Sequence, residues 1–236
     1  MKYIASCSFG KDSLAMILTI LQHNMPLDEV VYVEVMYDET LSGEYPAHAA
    51  FIYDTAIPYL ERLGIKVTVL RSNTTYKAES TRLRTKGRWQ GLPVGFPSLW
   101  APWCNGVLKR RPLQKYMREQ TDEVHEYVGI AADEPKRLER LLEKPGKSAP
   151  LAELGITEAE AKAICEAHGL LSPIYDTKDR NGCWMCHNGR MCDLKDIYQN
   201  HPDLWQELRF LQSISDNSFT KRYSIFDLEK KFDAEK

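Results

Sequence analysis

The chain opens with KYIASC at residues 2–7, SFGKDS at residues 8–13 and LAMILTILQH at residues 14–23. The first stretch is a short apolar run that predicts a strand. The run Ser13–His23 is apolar on most faces and is long enough for a buried helix. Between the two lies a turn rich in Ser and Gly. The sequence therefore predicts a strand, a loop and a helix in immediate succession.

Later segments repeat this alternation. Apolar and β-branched runs predict strands at Glu29–Met36, Ile65–Leu70 and Val124–Ala131, and a helical pattern over Tyr45–Leu63 ends at Gly64. Strands that alternate with helices at this spacing imply crossover connections and therefore a parallel sheet. The predicted fold class is α/β: an open, mostly parallel twisted sheet with helices on both faces.

Two domains are predicted, over residues 1–150 and 151–236. The boundary rests on KPGKSAP at Lys144–Pro150, which is typical of a turn or linker. Beyond it, Thr157 and Glu160 form the signature of a capping box at the start of a helix. We expect an α/β domain followed by a helical extension that carries a cysteine-rich segment.

The composition is that of an ordinary globular protein. The chain has 236 residues, of which 43% are hydrophobic and 27% charged, and this argues against disorder. No run approaches the ~18 apolar residues of a membrane span, and the first residues lack the apolar core of a signal peptide. We therefore expect a cytoplasmic protein with no membrane partner, whose six cysteines do not form structural disulfides.

Positive charge is concentrated in residues 77–118. This segment holds ten of the 31 Lys and Arg residues and one of the 33 acidic residues, and it includes Trp89, Trp100 and Trp103. Clustered cations favour a polyanionic partner, and aromatic side chains stack on unpaired bases. The segment therefore predicts contact with a nucleotide or a nucleic acid; a solvated helix face is the alternative.

Residues Ser8–Ser13 have the position and the chemistry of an anion site. A turn that leaves a strand and opens a helix presents backbone N–H groups and a helix N-terminus. Gly10 permits close approach of a phosphate, and Lys11 adds positive charge. The pattern matches neither the Walker loop nor the glycine fingerprint of dinucleotide-binding folds.

This loop resembles the SGGxDS signature of the PP-loop ATP pyrophosphatases, with Phe9 in place of the first glycine of the pair. The SFG form is similar to that of the phosphoadenosine-phosphosulfate (PAPS) reductase branch, and four further segments follow that branch in order. They are Asp38-Glu39-Thr40 with Glu44-Tyr45-Pro46, Trp103-Cys104-Asn105, Leu108-Lys109-Arg110-Arg111-Pro112, and Gly129–Glu134, the last with Ala131 where an Arg is common. The resemblance implies an adenine nucleotide alpha hydrolase-like fold.

The resemblance also implies that the chain binds ATP and Mg²⁺ and adenylates an acceptor. In this family a substrate oxygen attacks the α-phosphorus of ATP and pyrophosphate leaves, so that a nucleophile such as sulfide can attack the adenylated product. Cations must lie where the leaving pyrophosphate gains charge. Lys11 and Lys109 are the candidates, with Arg110 and Arg111 behind them. Asp12 would position Mg²⁺ or cap the helix.

The predicted cofactor-binding residues extend beyond these cations. Asp38 follows the second strand, at the carboxyl edge where ligands bind in open α/β sheets, and would hold the ribose, the adenine edge or the metal. The full predicted set is Ser8, Phe9, Gly10, Lys11, Asp12, Ser13, Asp38, Arg110 and Arg111.

The cysteine spacing predicts a metal centre. Cys183, Cys186 and Cys192 follow a C-x2-C-x5-C pattern, in which two thiolates bind one metal from a tight turn and the third swings in. Cys104 is the predicted fourth ligand, with His187 as the alternative. Four thiolates suit a [4Fe–4S] cluster or tetrahedral Zn²⁺. The family resemblance favours the cluster, because relatives that handle sulfur use one; a redox dithiol or free buried thiols are the other interpretations.

Three functions remain open at this point. The first is adenylation of a nucleic acid for sulfur transfer, either at a tRNA base or at the DNA backbone as in phosphorothioation, with a cysteine desulfurase as a possible sulfur donor. The second is a sulfonucleotide reductase or a small-molecule adenylating enzyme, and the absence of cysteine from residues 223–236 counts against the reductase. The third is a nucleotide-binding scaffold without catalysis.

Overall fold

The structure is a computed structural model that describes residues 1–98, 102–178 and 182–235. Within these ranges, no helix combines the length and the hydrophobicity of a membrane span. The described chain contains a five-stranded sheet in the order β3–β2–β1–β4–β5. Its strands are β1 (Lys2–Cys7), β2 (Glu29–Glu34), β3 (Lys66–Arg71), β4 (Val124–Val128) and β5 (Lys147–Ser148).

The helices follow the strands in the predicted alternation. They are α1 (Lys11–Gln22), α2 (Pro46–Phe51), α3 (Ile57–Arg62), α4 (Tyr76–Thr81), α5 (Arg111–Arg118), α6 (Pro135–Leu142), α7 (Pro150–Glu153), α8 (Glu158–Ala167), α9 (Met191–Asn200), α10 (Pro202–Ile214) and α11 (Ile225–Asp233). A π-helical segment, Ile52–Ala56, joins α2 to α3, and another, Asn105–Arg110, leads into α5. The predicted long helix over Tyr45–Leu63 is therefore continuous but wound differently at its centre.

The chain folds into two compact units. The first, called here the sheet unit, comprises Met1–Val33, Pro46–Leu70 and Leu113–Asn181. The second, called the cysteine unit, comprises Glu34–Tyr45, Arg71–Pro112 and Gly182–Lys236. Each unit is assembled from three separated stretches of sequence, so neither corresponds to a simple half of the chain.

The sheet is parallel at its centre, as predicted. Ala5 of β1 lies opposite Val30 of β2 on one side and Tyr127 of β4 on the other, and β4 pairs with β5 in the same sense. All three of these side chains are buried. A parallel sheet buried on both faces requires helices on both sides, and the predicted α/β class is confirmed.

The two faces of the sheet differ in chemistry. One face is apolar and packs on α1, whose residues Leu14–Leu18 are buried against β1 and β2. The other face carries a charged centre, because Glu29 of β2 is fully buried there. Its carboxylate pairs with Lys2 at 2.5 Å and Lys66 at 2.9 Å, and accepts hydrogen bonds from Tyr116 of α5 at 2.7 Å and from Thr68.

These partners make Glu29 a source of stability that depends on pH. Burial alone would raise the pKa of the Glu29 carboxyl, but hydrogen bonds led by those from Lys2 and Thr68 lower it to about 2. A carboxyl whose pKa is depressed in the folded state stabilises that state above its unfolded pKa of ~4.3, and the contribution is lost as the pH falls towards the folded value.

We expect Glu29→Gln to lower the free energy of unfolding at pH 7 by about 3 kcal/mol, because it removes a buried carboxylate whose pKa is lowered from ~4.3 to about 2 in the folded chain. Urea unfolding between pH 7 and pH 2 measures the effect. The wild type should lose stability as the pH falls below ~4.5, and the variant should lack that part of the loss. Glu61→Gln, on the exposed side of α3, is the matched control. Equal stability of the two variants at pH 7 would show that the network contributes nothing.

The predicted domain boundary at residue 150 does not separate the two units. Residues 151–178 belong to the sheet unit, where α8 packs on α1 through Ala161 and Cys165. The supposed linker contains β5, which extends the sheet. A strand of only two residues, with Gly and Pro nearby, shows no alternation of apolar and polar residues. The sequence therefore favoured a turn or linker over Lys144–Pro150. The capping box at Thr157 and Glu160 is present as predicted.

Candidate functional site

The phosphate loop in the sheet unit begins where β1 ends and closes where α1 begins. Phe9 has a positive φ of 56°, a backbone conformation that side chains rarely adopt and that glycine accommodates. Its ring is fully buried and meets Tyr32 edge-on at 5.2 Å. The aromatic ring therefore anchors the turn in the core while the backbone adopts the shape for which the family pattern has glycine.

The loop forms one wall of a cavity of about 450 Å³. Its lining includes Ser8, Gly10, Lys11, Asp12 and Ser13 of the predicted set, together with Gly129, Glu134, Arg137, Glu158 and Tyr175. Gly129 follows β4, and a Cβ placed on it would lie 2.9 Å from the Cα of Ser13. Glycine at that position lets the end of β4 approach the start of α1.

Lys11 is held by two carboxylates in this cavity. Its Nζ lies 2.6 Å from Asp12 and 2.7 Å from Glu158 of α8, and its side chain is 9% exposed. Burial alone would lower the pKa of Lys11, but the hydrogen bonds to Asp12 and Glu158 raise it above the ordinary value. Lys11 is therefore a cation held in place at the start of a helix. A phosphate group bound there would replace one of the two carboxylates as the partner of Lys11.

The environment of Asp12 disfavours the charged form of its carboxyl. Burial raises the pKa of Asp12, and Glu158 and Glu134 add to the rise, while Lys11 opposes it. Acidic side chains from three elements thus share the cavity with Lys11 and Arg137. Carboxylate oxygens are the ligands Mg²⁺ uses alongside phosphate oxygens, so this donor set fits a metal bound together with a nucleotide.

Further residues position the loop and were missed from the sequence. The backbone N–H of Lys11 donates to Tyr175 Oη at 3.0 Å, and Cys165 of α8 donates to the Lys11 carbonyl at 3.2 Å. The ring of His48, fully buried in α2, lies 2.9 Å from Ser172 Oγ and 3.4 Å from the Ser8 carbonyl. A lone histidine or tyrosine far along the chain carries no signal that would connect it with this loop.

Four residues of the predicted nucleotide set belong instead to the cysteine unit: Asp38, Lys109, Arg110 and Arg111. Asp38 accepts hydrogen bonds from the backbone N–H groups of Thr40 at 2.9 Å and Leu41 at 2.8 Å, and so closes its own turn. Although burial opposes it, these bonds hold the pKa of Asp38 below its ordinary value. Arg110 and Arg111 are exposed.

In the cysteine unit, a short stretch of paired backbone positions Cys183, the first cysteine of the C-x2-C pair. Glu44 and Cys183 form an antiparallel bridge, and the N–H of Trp184 donates to the Gly43 carbonyl at 3.0 Å. A Cβ on Gly43 would lie 2.4 Å from the end of the Met185 side chain and 2.8 Å from the Val35 carbonyl. This close approach requires glycine, and it fixes Cys183 beside this stretch.

Three cysteines line one cavity of about 310 Å³: Cys104, Cys183 and Cys186. Lys109 lies among them, and its pKa is raised chiefly by the charge of Cys183. Burial raises the pKa of the Cys183 thiol to about 12, although Lys109 opposes the rise. Burial also raises the pKa of Cys104. Cys104, the predicted fourth ligand, therefore lines the same cavity as Cys183 and Cys186, and Lys109 lies beside the three thiols.

Cys192 is placed differently from the prediction. It is exposed in the first turn of α9, with its Sγ 3.8 Å from Asp193, and it does not line the cavity. Cys192 belongs to the helix that begins at Met191, and the capping interaction of Arg190 with Asp193 fixes where this helix starts. The third cysteine of the C-x2-C-x5-C pattern is therefore separated from the first two by a helix start.

Two other residues bring unsatisfied polar atoms to the same cavity. The Oη of Tyr76 and the Nε2 of His187 are buried and have no hydrogen-bond partner within the described residues. In the ranges that the structure describes, no three His, Cys, Asp or Glu side chains converge closely enough to hold a metal ion as they stand. The three thiols therefore line a cavity that also holds buried polar atoms without a hydrogen-bond partner in the described residues. This arrangement fits a bound group larger than a single ion.

Comparison with known proteins gives a distant structural likeness. No protein-family model matches the chain, and no curated protein matches it. Among solved structures, the chain is similar to the U34-tRNA thiolase NcsA from Methanococcus maripaludis with its [4Fe-4S] cluster. The match covers 98% of this chain and 80% of the other, with 18% identity and a TM-score of 0.46. A likeness of this degree assigns neither a family nor a function.

Proposed function

We propose that the chain is a PP-loop ATP pyrophosphatase that adenylates a nucleic acid and so activates it for sulfur transfer. The observation that carries the proposal is the loop cavity, where a strand-to-helix turn, a buried Lys11 and acidic side chains surround a space of about 450 Å³. Conversion of ATP to AMP and pyrophosphate, with sulfur entering the acceptor, is the direct test.

In this proposal the triphosphate lies on the loop. Backbone N–H groups at the start of α1 and the Lys11 ammonium face the charge that develops on the leaving pyrophosphate. Asp12 and Glu158 would release Lys11 to the phosphates and would be the residues that hold Mg²⁺, which would supply further positive charge. The acceptor oxygen forms a bond to the α-phosphorus as the bond to the β-phosphate breaks. A sulfur nucleophile then displaces AMP from the adenylated acceptor.

The thiol cavity supports the sulfur-handling half of the proposal. Cys104, Cys183 and Cys186 would hold a [4Fe–4S] cluster, which when bound supplies soft iron sites that take up sulfur. Lys109 would then offset the negative charge of the thiolates, which differs from the role beside ATP predicted from the sequence. The cavity of about 310 Å³ has roughly the volume of ten water molecules. A zinc ion closed off by four ligands would leave less empty space than this.

A zinc site remains the second candidate, because His187 lines the same cavity with an unpartnered Nε2. Three cysteines and one histidine are a common tetrahedral zinc set. Anaerobic purification followed by metal analysis and a visible spectrum distinguishes the two. Brown protein with iron and labile sulfide supports the cluster, whereas colourless protein with one zinc per chain supports the structural site.

The basic segment supports a nucleic-acid acceptor, but with fewer cations than its sequence suggests. Lys77 pairs with Glu207, Arg82 pairs with Glu79, and Arg84 donates to the Val94 carbonyl at 2.8 Å. Those cations stabilise the protein itself. Trp100 lies outside the described residues.

Two of the remaining cations of this segment lie at the tip of a hairpin. Leu83 pairs with Pro93, and the turn between them exposes Lys86, Arg88 and Trp89. The Arg88 guanidinium lies 5.0 Å from the centre of the Trp89 ring, which is 47% exposed. Cations beside an open aromatic ring are the elements of a single-strand binding surface.

We expect Lys86→Ala/Arg88→Ala to flatten the salt dependence of single-stranded RNA binding by about 1.4 in log–log slope, at ~0.7 for each phosphate that is no longer neutralised. Trp89→Ala should weaken binding by about 1–3 kcal/mol with little change in slope, because stacking releases few ions. Fluorescence titrations at several salt concentrations measure both quantities. Lys136→Ala/Arg140→Ala on α6 removes the same charge from exposed positions and is the control. An unchanged slope in the hairpin variant would remove this surface from the proposal.

A further inference from the structure

A second cavity in the cysteine unit has no role in the chemistry described so far. It measures about 540 Å³ and lies between the turn that follows Cys186 and the segment that leads into α11. We call it the basic groove. Its lining includes Thr220, Lys221, Arg222, Tyr223, Lys231 and His187.

The basic groove has a net positive charge. Three of its lining residues are cations and none is acidic. Lys231 is partly neutralised, since it lies 3.6 Å from Glu235. Lys221 and Arg222 are exposed, and neither side chain has an ion-pair partner among the described residues. Two unpaired cations on one wall of a cavity are a site for a phosphate group.

The segment that carries these cations is held in place. Thr220 Oγ1 accepts hydrogen bonds from the N–H groups of Arg222 at 3.4 Å and Tyr223 at 3.0 Å, and the Thr220 N–H donates to the Tyr223 carbonyl at 3.0 Å. Ser224 then caps α11 through a capping box with Asp227. Lys221 and Arg222 are therefore presented by a structured turn, which reduces the entropy cost of ordering them when a ligand binds.

The basic groove and the thiol cavity share a wall. His187 and Asn188 line both spaces. His187 is 5% exposed, and its Nε2 is buried without a hydrogen-bond partner within the described part of the chain. A ligand whose phosphate is held by Lys221 and Arg222 would therefore reach the residues that border the three thiols.

We propose that the basic groove binds a phosphate and the adjoining base of the acceptor strand, and so places the acceptor beside the thiol cavity. This inference rests on the proposed function, because it assigns the acceptor to a particular surface. The charge fits a phosphodiester, and Tyr223, half-buried beside Lys231, offers a ring on which a base stacks. The groove is separate from the hairpin that carries Lys86 and Arg88.

The test is Lys221→Ala/Arg222→Ala, titrated against a fluorescent single-stranded RNA of about 12 nucleotides at several salt concentrations. With two phosphates no longer neutralised, the log–log salt slope should fall by about 1.4. At low salt we expect affinity to fall by about tenfold or more, as a loss of at least ~1.4 kcal/mol. Tyr223→Ala should weaken binding with little change in slope. The control is Lys136→Ala/Arg140→Ala, and thermal unfolding checks that each variant is folded.

The outcomes separate the groove from the proposed function. If the Lys221/Arg222 variant binds RNA with the same affinity and slope as the control, the groove assignment is overturned, while the proposed function stands if the wild type converts ATP to AMP. If poly-glutamate competes as well as RNA does, the groove is a site for acidic peptides and the assignment also fails. If the wild type binds neither ATP nor RNA, the proposed function fails and the groove assignment fails with it.

Discussion

Replacement of Lys11 by Ala should lower the rate of pyrophosphate release from ATP by about 10²–10³-fold, the usual cost of removing one preorganised group that faces developing charge. Lys11 is the buried cation of the loop cavity, at the start of α1 and within 2.7 Å of Asp12 and Glu158. Its loss removes charge from the place where the leaving pyrophosphate would lie, and it leaves two carboxylates that repel the triphosphate. Asp12→Ala should abolish turnover, because it removes a proposed Mg²⁺ ligand.

Coupled-enzyme detection of pyrophosphate measures these rates. Lys162→Ala is the matched control, because Lys162 lies on α8 with a 45% exposed side chain and only a loose pair with Glu166 at 3.8 Å. A thermal unfolding midpoint close to that of the control would show that the Lys11 variant is folded. Pyrophosphate release at the control rate in both the Lys11 and Asp12 variants would exclude the loop cavity as the ATP site.

The second large effect is expected at the thiols. Cys104→Ser, Cys183→Ser and Cys186→Ser should each lose most of the bound metal, with affinity falling by about 100-fold if each ligand contributes about 3 kcal/mol. Cys165→Ser should keep its metal, because that thiol is buried in the sheet unit against the Lys11 carbonyl. Iron and zinc analysis of anaerobically purified protein, with the visible spectrum, measures the loss.

Cys192→Ser distinguishes three cysteine ligands from four. The sequence pattern predicts that Cys192 is a ligand, whereas the structure places it exposed at the start of α9 and outside the cavity. On the structure we expect this variant to retain the metal and the spectrum of the wild type. If it loses metal as completely as Cys183→Ser, the start of α9 must rearrange around the bound group, and the three-thiol assignment is wrong.

The sequence predicted those features that depend on neighbouring residues. The strand, loop and helix over residues 2–23 were recognisable because an apolar run, a glycine turn and a second apolar run follow one another directly. The capping box at Thr157 was recognisable for the same reason, since its two partners lie three residues apart. The spacing of Cys183 and Cys186 likewise placed two thiols at one turn.

The residues that complete each cavity come from distant parts of the chain. Glu158 and Tyr175 reach the phosphate loop only because α8 and the segment after it pack on α1 in the sheet unit. Lys109 has the charge expected of a phosphate ligand, and nothing local indicates that the fold surrounds it with thiols. The cations of residues 77–118 likewise suggested more charge available to a partner than the folded chain presents, because Lys77 and Arg82 pair with acidic side chains.

The cleavage position in ATP tests the central claim most directly. ATP labelled at the α- and γ-phosphates would be incubated with anaerobically purified protein, Mg²⁺, total tRNA and sulfide, and the products separated by thin-layer chromatography. The account predicts that the α-label appears in AMP and the γ-label in pyrophosphate, in equal amounts. Appearance of the α-label in ADP and the γ-label in inorganic phosphate would contradict it, because attack would then fall on the γ-phosphorus and no adenylated acceptor would form.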